Sequence, residues 1–252
     1  VTAPPAQGNP DRGLIAALRG LLARFGIFLL PPALLLLGGA ISPAFLGASN
    51  VSNLLLQIAP LGIVAIGQCF VMIVRGLDLS VASMMATAAV IATGFSGSNG
   101  DVASIVAAVL AMAVGVGLIN GLLVTKRDVS PFLATLATMI LLQGFRFAYT
   151  QGAPSGNVPP LFRTLGSGKF DGIPFNFAIL LVLATLFWIV LHRSAFGRRV
   201  FIVGGNPVTG RLLGIRSDLV TIVCYVLSSC LAGIAGLILS GYVGLVDNWV
   251  GQ

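Results

Sequence analysis

The chemically reactive residues of this chain are few, and their spacing argues against catalysis. All seven acidic residues are aspartates, scattered without the paired carboxylates of acid and base catalysis. The single histidine, His192, stands beside Arg193 with no nucleophile or carboxylate partner, which is typical of a membrane interface. The nearest match to a phosphate loop, residues 166–170, lacks the first glycine at the right spacing and a hydroxyl after its lysine. We therefore expect no catalytic residue and no ATP hydrolysis in this chain.

The three cysteines do not form a metal site. Cys69, Cys224 and Cys230 fall inside apolar segments without metal-ligand spacing. The last two are six residues apart, so they face different sides of a helix. We interpret all three as packing residues and expect neither a metal nor a cofactor bound to this chain.

A basic stretch, residues 193–218, carries the clearest helix signals. Asn206 followed by Pro207 predicts a helix start. The Asn side chain accepts a hydrogen bond from a free backbone amide. Proline lacks an amide hydrogen, but at the first helical position that hydrogen would have no partner within the helix. Gly214 predicts the end of this helix after Leu213. A helix of about two turns is too short to be stable alone in water. We therefore interpret the stretch as a docking loop.

Composition identifies an integral membrane protein. Hydrophobic residues make up 57% of the chain and charged residues 8%, with a mean hydropathy of +1.02, whereas soluble proteins are about a quarter charged. The net charge of this chain is +7, and a positive net charge is also common in nucleic-acid-binding proteins. Here, however, the basic residues lie between apolar runs as long as a bilayer is thick, so membrane topology explains them better. We expect no nucleic acid partner.

Apolar runs predict an all-α polytopic protein with about seven transmembrane helices. The runs cover residues 25–45, 54–74, 81–94, 102–124, 132–149, 177–191 and 219–240. With the N-terminus inside, eleven of the fourteen basic residues lie on the cytoplasmic side, as the positive-inside rule requires. The docking loop then forms a cytoplasmic connection between the sixth and seventh helices. We divide the chain into a cytoplasmic N-terminal segment, residues 1–24, and a transmembrane domain, residues 25–252.

Polar residues near or within these runs leave alternatives open. Gln57 and Gln68 either form interhelical hydrogen bonds or line a solute path. Arg146 either extends to the membrane interface or faces a polar pathway between helices. Asp78 or Ser80 is predicted to cap the third helix, with a role of Asp78 in gating as the alternative.

Small residues four positions apart predict close helix packing. The small residues are Ala113, Gly117 and Gly121 in the fourth run, and Ser229 with Gly233 and Ala232 with Gly236 in the seventh.

Residues 151–176, between the fifth and sixth runs, are predicted to form the longest external loop. The loop is rich in Gly, Pro and Ser, and loops of that length are usually functional or disordered.

Three motifs carry a resemblance to a known family. GLDLSVAS at 76–83, SPFLATLATMILLQG at 130–144, and FGRRVFIVGGNPVTGRLLGI at 196–215, followed by YVLSSCLAGIAGLIL, occur in one order and spacing. With them, the chain from about residue 50 onward resembles the permease subunits of bacterial ribose-type ABC importers. Two departures are apparent: Arg75 stands where the family usually has glycine, and relatives continue past residue 252 with further membrane helices, so the domain is expected to be incomplete relative to the family.

The resemblance implies a function and a set of partners. It implies a permease subunit in the bacterial inner membrane that imports a monosaccharide or similar solute. The expected partners are a second permease subunit, a pair of ATP-binding cassette subunits that hold ATP and Mg, a periplasmic sugar-binding protein and membrane lipid. Two other functions stay open, namely an ion-coupled secondary carrier, which would need acidic residues within the membrane, and a truncated scaffold that transports nothing.

The resemblance also implies roles for individual residues. The ATPase-coupling residues are Asn206, Pro207, Val208, Thr209, Arg211, Leu212, Leu213 and Gly214. Val208, Leu212 and Leu213 are expected to give apolar contact with the ATPase subunit, and Arg211 to meet an acidic rim on it. The motif and gating residues are Gly76, Asp78, Ser80 and Ser83. Possible pathway-lining residues are Gly67, Gln68, Thr135 and Gln143.

Overall fold

The computed structural model describes residues 10–153 and 156–244 and consists almost entirely of helices. The helices are α1 Pro10–Ile41, α2 Ala48–Ile73, α3 Ser80–Thr93, α4 Val102–Lys126, α5 Pro131–Thr150, α6 Pro160–Ser167, α7 Phe175–Arg193, α8 Ala195–Gly205, α9 Pro207–Leu212 and α10 Ser217–Val243. Two-residue strands, β1 Lys169–Phe170 and β2 Ile173–Pro174, pair antiparallel. The predicted segment 1–24 and the C-terminal tail lie partly outside the described residues.

All seven predicted apolar runs fall in helices, which confirms the all-α polytopic class. Among the described residues, five helical stretches are long and apolar enough to cross a membrane: Ala48–Ile73, Asn99–Lys126, Pro131–Thr150, Phe175–Arg193 and Ser217–Val243. Two shorter apolar helices are Phe28–Ile41 and Ser80–Thr93. With 14 residues, α3 is about 21 Å long, shorter than a bilayer core of about 30 Å. Twelve of its residues are buried, so α3 is enclosed by protein rather than by lipid.

The chain separates into two compact units, residues 1–51 and 52–252. In the first unit, a 3₁₀ turn at Pro43–Leu46 follows α1, and the ring of Phe45 lies against Gly38. The Asn50 side chain donates to the Phe45 carbonyl over 2.7 Å, which fixes the end of this turn.

The second unit is built around α10. Many of the side chains at its buried positions are small enough for the backbones of neighbouring helices to approach it closely. A Cβ added at Gly117 on α4 would lie 2.5 Å from the Cα of Val226, and one at Gly236 on α10 would lie 2.1 Å from the carbonyl oxygen of Met85. Such distances leave room for glycine alone. The predicted close packing of the fourth and seventh runs is therefore confirmed, and the second unit has its core where α3, α4 and α10 meet.

The predicted external loop is more structured than its composition indicated. It contains α6 and the β1–β2 hairpin. Phe162 on α6 is buried, and Gly166 approaches the backbone of Ile238 and Gly241 on α10. The sequence did not reveal α6, because a helix of eight residues is too short for a clear helical period. Packing stabilises it rather than helix propensity.

The basic stretch also contains a helix that the sequence analysis missed. α8 begins after Ser194, whose hydroxyl oxygen accepts the Gly197 amide over 3.0 Å. Val200 and Val203 are buried against Phe70 and Val71 of α2. The amphipathic pattern was hard to recognise in the sequence, because two of the helix's eleven residues are basic and three are glycines.

Candidate coupling site and buried polar cluster

The short helix α9 has the predicted signals at both ends. The Asn206 carboxamide oxygen accepts the amides of Val208 and Thr209 over 2.8 and 3.4 Å. Pro207 opens the helix, and Gly214 adopts a left-handed φ of 76° just past its end, which favours glycine. The helix ends one residue earlier than predicted, at Leu212. The predicted start is therefore confirmed, and the predicted end was one residue too late.

One side of α9 is fixed to the protein and the other is open. Gly210 is buried, and the Ser217 hydroxyl donates to the Pro207 carbonyl over 2.9 Å, which joins α9 to the start of α10. On the open side, Val208 is 59% exposed, Leu212 83% and Leu213 65%. The helix thus presents an apolar surface on a rigid base.

Next to this surface, two basic side chains share one carboxylate of the same chain. Arg211 pairs with Asp218 over 3.2 Å, and Lys126 pairs with the same carboxylate over 2.5 Å. Both basic side chains are more than half exposed, so the pairs contribute at most about 1 kcal/mol of stability. Arg211 therefore already has an acidic partner in its own chain, whereas sequence reasoning had assigned it to an acidic rim on another subunit.

The motif loop between α2 and α3 contacts the chain just before α9. Arg75 adopts a left-handed φ of 63°. Its Nε donates to the Gly204 carbonyl over 2.7 Å, and its second guanidinium nitrogen donates to the Gly205 carbonyl. The loop is also packed against α10, because a Cβ at Gly76 would lie 2.6 Å from the Tyr225 hydroxyl.

Asp78 lies at the centre of a buried polar cluster. It is 2% exposed and accepts the Ser80 amide over 3.0 Å, the Ser80 hydroxyl over 2.5 Å and the Ser228 hydroxyl over 3.1 Å. Asn120 donates to the Ser80 hydroxyl over 2.9 Å and accepts the Thr138 hydroxyl over 2.6 Å. Burial raises the pKa of the Asp78 carboxyl, while the hydrogen bonds from Ser80 and Ser228 oppose that rise. The cluster joins the motif loop to α3, α4, α5 and α10.

Neither predicted cap occupies the N-cap position of α3, which is Leu79 and makes no side-chain cap bond. Asp78 accepts the first amide of α3, whereas Ser80 is the first residue of the helix and uses its hydroxyl within the cluster. Sequence reasoning missed Asn120, Thr138 and Ser228 as members. The signal for Asn120 was an amide in the middle of an apolar run, which usually marks a polar contact inside a membrane protein.

Arg146 lies inside the bundle instead of at the membrane interface. Its side chain is 0% exposed, and Nη1 donates to the Ser83 carbonyl over 3.0 Å and lies 3.4 Å from the Thr87 hydroxyl. Of the two alternatives left open for Arg146, extension to the interface is wrong, because carbonyl and hydroxyl oxygens on α3 provide the polar surroundings that a buried guanidinium needs. Its contact with Ser83 also joins α5 to the predicted motif.

The four possible pathway residues have different surroundings. Gly67 is in close contact with Ser228 on α10, and a Cβ there would lie 2.8 Å from the Ser228 Cα. Thr135 is buried and donates to the Pro131 carbonyl over 2.8 Å. Gln68 and Gln143 are half-buried, and within the described part of the chain the Gln68 carboxamide oxygen is buried without a hydrogen-bond partner. Their place in a pathway stays a prediction.

The cysteine and histidine side chains have different surroundings, and the packing role predicted for all three cysteines does not hold for the exposed Cys69. Among the described residues no group of three or more His, Cys, Asp or Glu side chains is arranged to hold a metal. The cysteines are free thiols, with Cys224 buried and Cys69 exposed. His192 stacks on Trp188 at the end of α7, with ring centroids 5.1 Å apart.

Comparison with known proteins assigns the family. Residues 50–251 match the model of the family described as branched-chain amino acid transport system / permease component. The ribose import permease protein RbsC of Bacillus subtilis is 37% identical over 242 residues, which are 92% of this chain and 73% of that protein. RbsC of Escherichia coli K12 is 34% identical, over 79% of this chain and 63% of that protein.

A galactose permease is also similar. The galactose/methyl galactoside import permease protein MglC of Haemophilus influenzae is 30% identical over 86% of this chain and 71% of that protein. No solved structure matches the chain significantly. Because the family model covers most of the chain, and relatives above 30% identity cover it as widely, the chain belongs to this family of transport-system permease components.

Proposed function

We propose that this chain is the membrane-spanning subunit of an ATP-driven importer of a monosaccharide or similar small polar solute in the bacterial inner membrane. Family membership and relatives named as ribose and galactose import permeases support the proposal. The observation that carries it is the apolar surface of α9, where Val208, Leu212 and Leu213 are exposed on a helix fixed from behind.

In this proposal, ATP and Mg are held by separate ATP-binding cassette subunits, and α9 is the element they contact. A partner shifts a conformational equilibrium only if it binds one state more tightly than the other. The contact of α9 with its partner must therefore differ between inward-open and outward-open states. A second permease subunit and a periplasmic sugar-binding protein complete the assembly.

The buried cluster is proposed to take part in gating. Gly76, Asp78, Ser80 and Ser83 lie where the motif loop meets α4, α5 and α10, and hydrogen bonds join the last three residues to these helices. Gly67, Gln68, Thr135 and Gln143 are proposed to lie along the solute path once the second permease subunit is present.

The test is recovery of the ATPase subunit with the permease. Leu212→Ser together with Leu213→Ser removes exposed apolar groups from α9 and is expected to abolish co-purification from native membranes. Phe170→Ser is the matched control, since Phe170 is 74% exposed on the hairpin far along the chain from α9, and it should leave co-purification unchanged. Uptake that proceeds without an ATPase subunit would favour an ion-coupled carrier. An absence of any uptake with the native partners present would favour a scaffold.

A further inference from the structure

A basic groove lies beside α9 and shares one residue, Leu213, with its apolar docking surface. It has a volume of about 680 Å³ and runs between α8 and the first turn of α10, a size typical of small-molecule sites. Arg198 and Arg199 of α8 line one wall and Arg216 the other. Leu213 and Gly214, at the end of α9, also line it, whereas Val208 and Leu212 do not.

The three arginines bring positive charge to the groove without an acidic partner. The ion pairs of the described residues are formed by Lys126 and Arg211 with Asp218, and neither involves a groove arginine. All three side chains are exposed, and no aspartate lines the groove. Guanidinium groups on facing walls suit a phosphate, which they bind with paired hydrogen bonds.

Neighbouring residues place the groove at the depth of lipid headgroups. Trp188 and His192 stack at the end of the spanning helix α7, and the Phe201 ring of α8 lies 6.2 Å from His192. All three side chains are exposed, as in the aromatic belt at a bilayer surface. Leu219, which lines the groove, is 52% exposed on the first turn of α10. The groove therefore combines an arginine wall with an apolar side that continues into the membrane.

We propose that this groove binds the headgroup phosphate of an anionic phospholipid of the inner leaflet. Basic pockets between membrane helices on the cytoplasmic side bind such headgroups. A bound lipid would join α8 to α10 next to the start of α9. The proposal uses the membrane placement of α7 and α10 and is independent of the transported solute.

The first experiment measures lipid binding to the purified full chain by native mass spectrometry with phosphatidylglycerol as the probe. Arg198→Gln with Arg216→Gln is expected to weaken binding by about tenfold or more. Arg198→Lys with Arg216→Lys keeps the charge but loses the paired hydrogen bonds, so binding is expected to fall less than in the glutamine variant. Arg127→Gln with Arg163→Gln removes the same charge from exposed residues outside the groove and should leave binding unchanged.

A second measurement needs no variant and so does not depend on the folding of one. Phosphatidylglycerol should protect Arg198, Arg199 and Arg216 of the unmodified chain from phenylglyoxal, while Arg127 stays reactive. Phosphatidylcholine should protect none of them. Equal protection by inorganic phosphate would show a free-anion site and overturn the lipid proposal. Protection by the ATPase subunit but not by phosphatidylglycerol would assign the groove to that subunit instead.

Discussion

Arg75 and Gly204 are far apart in the sequence, yet the Arg75 Nε donates to the Gly204 carbonyl over 2.7 Å. The same guanidinium reaches Gly205, the residue before the cap of α9. Beyond Arg75, the motif loop continues to Leu77 and to buried Asp78. The Leu77 carbonyl accepts a hydrogen bond from the Tyr225 hydroxyl over 3.3 Å. Arg75 therefore links the proposed docking helix to the proposed gate.

Replacement of Arg75 by glycine tests this link. Arg75→Gly relieves the left-handed backbone, which glycine adopts freely, but removes both bonds to the chain before α9. We expect the solute-stimulated ATPase activity of the assembled complex to fall severalfold, with little change in the thermal transition of the permease. Arg127→Gly is the control at an exposed arginine. Unchanged stimulation in Arg75→Gly would show that the link is only structural.

The cap of α9 gives a second prediction. Asn206→Ala leaves the amides of Val208 and Thr209 without their acceptor and should destabilise the helix by about 0.5–2 kcal/mol. Because an unfolded α9 loses its apolar surface, less ATPase subunit should co-purify. Asn206→Asp keeps the acceptor, so normal recovery is expected. Equal recovery with Ala and Asp would contradict a role for the cap.

Local signals predicted the helices, while tertiary contacts decided the sites. Asn206, Pro207 and Gly214 act through bonds within a few residues, so their spacing was enough to place α9. The position of Arg146 stayed open because it depends on Ser83, 63 residues away. No local pattern carries that information.

The polar cluster shows the same limit. Asp78 was predicted as one of two possible caps from its position before an apolar run. Its bonds to Ser80 are local, but Ser228 is 150 residues away. Asn120 and Thr138 come from two other helices. Their meeting point depends on how close α4 and α10 approach, which the small residues indicated without showing which faces meet.

Two glycines on α4 provide a matched test of that close approach. A Cβ at Gly117 would lie 2.5 Å from the Val226 Cα, whereas a Cβ at Gly115 would meet nothing within 4 Å. Gly117→Ala should therefore destabilise the protein by about 1–3 kcal/mol, as overpacking does. Gly115→Ala should be neutral or slightly stabilising, because alanine favours the helix. Thermal transitions in detergent report both, and similar values would contradict the packing of α4 on α10.

The Asp78 cluster predicts a loss of stability on amide substitution. Asp78→Asn keeps the shape but replaces one accepting oxygen with a donor that faces hydroxyl and amide donors. We expect a cost of about 1–3 kcal/mol from an unsatisfied buried group, seen as a lower thermal transition. Asp101→Asn is the control, since that side chain is bonded in a half-exposed loop turn. An equal effect at both positions would argue against a special role for the cluster.

The orientation of the chain gives the last prediction. The positive-inside rule places α9 in the cytoplasm and the β1–β2 hairpin on the opposite side. In a background without native cysteines, Phe170→Cys should react with an impermeant maleimide added to sealed cells, and Leu212→Cys only after the membrane is opened. Both side chains are more than 70% exposed, so reactivity reports the side of the membrane rather than burial. Labelling of Leu212→Cys from outside would place α9 where no ATPase subunit can reach it, and the proposed coupling would be excluded.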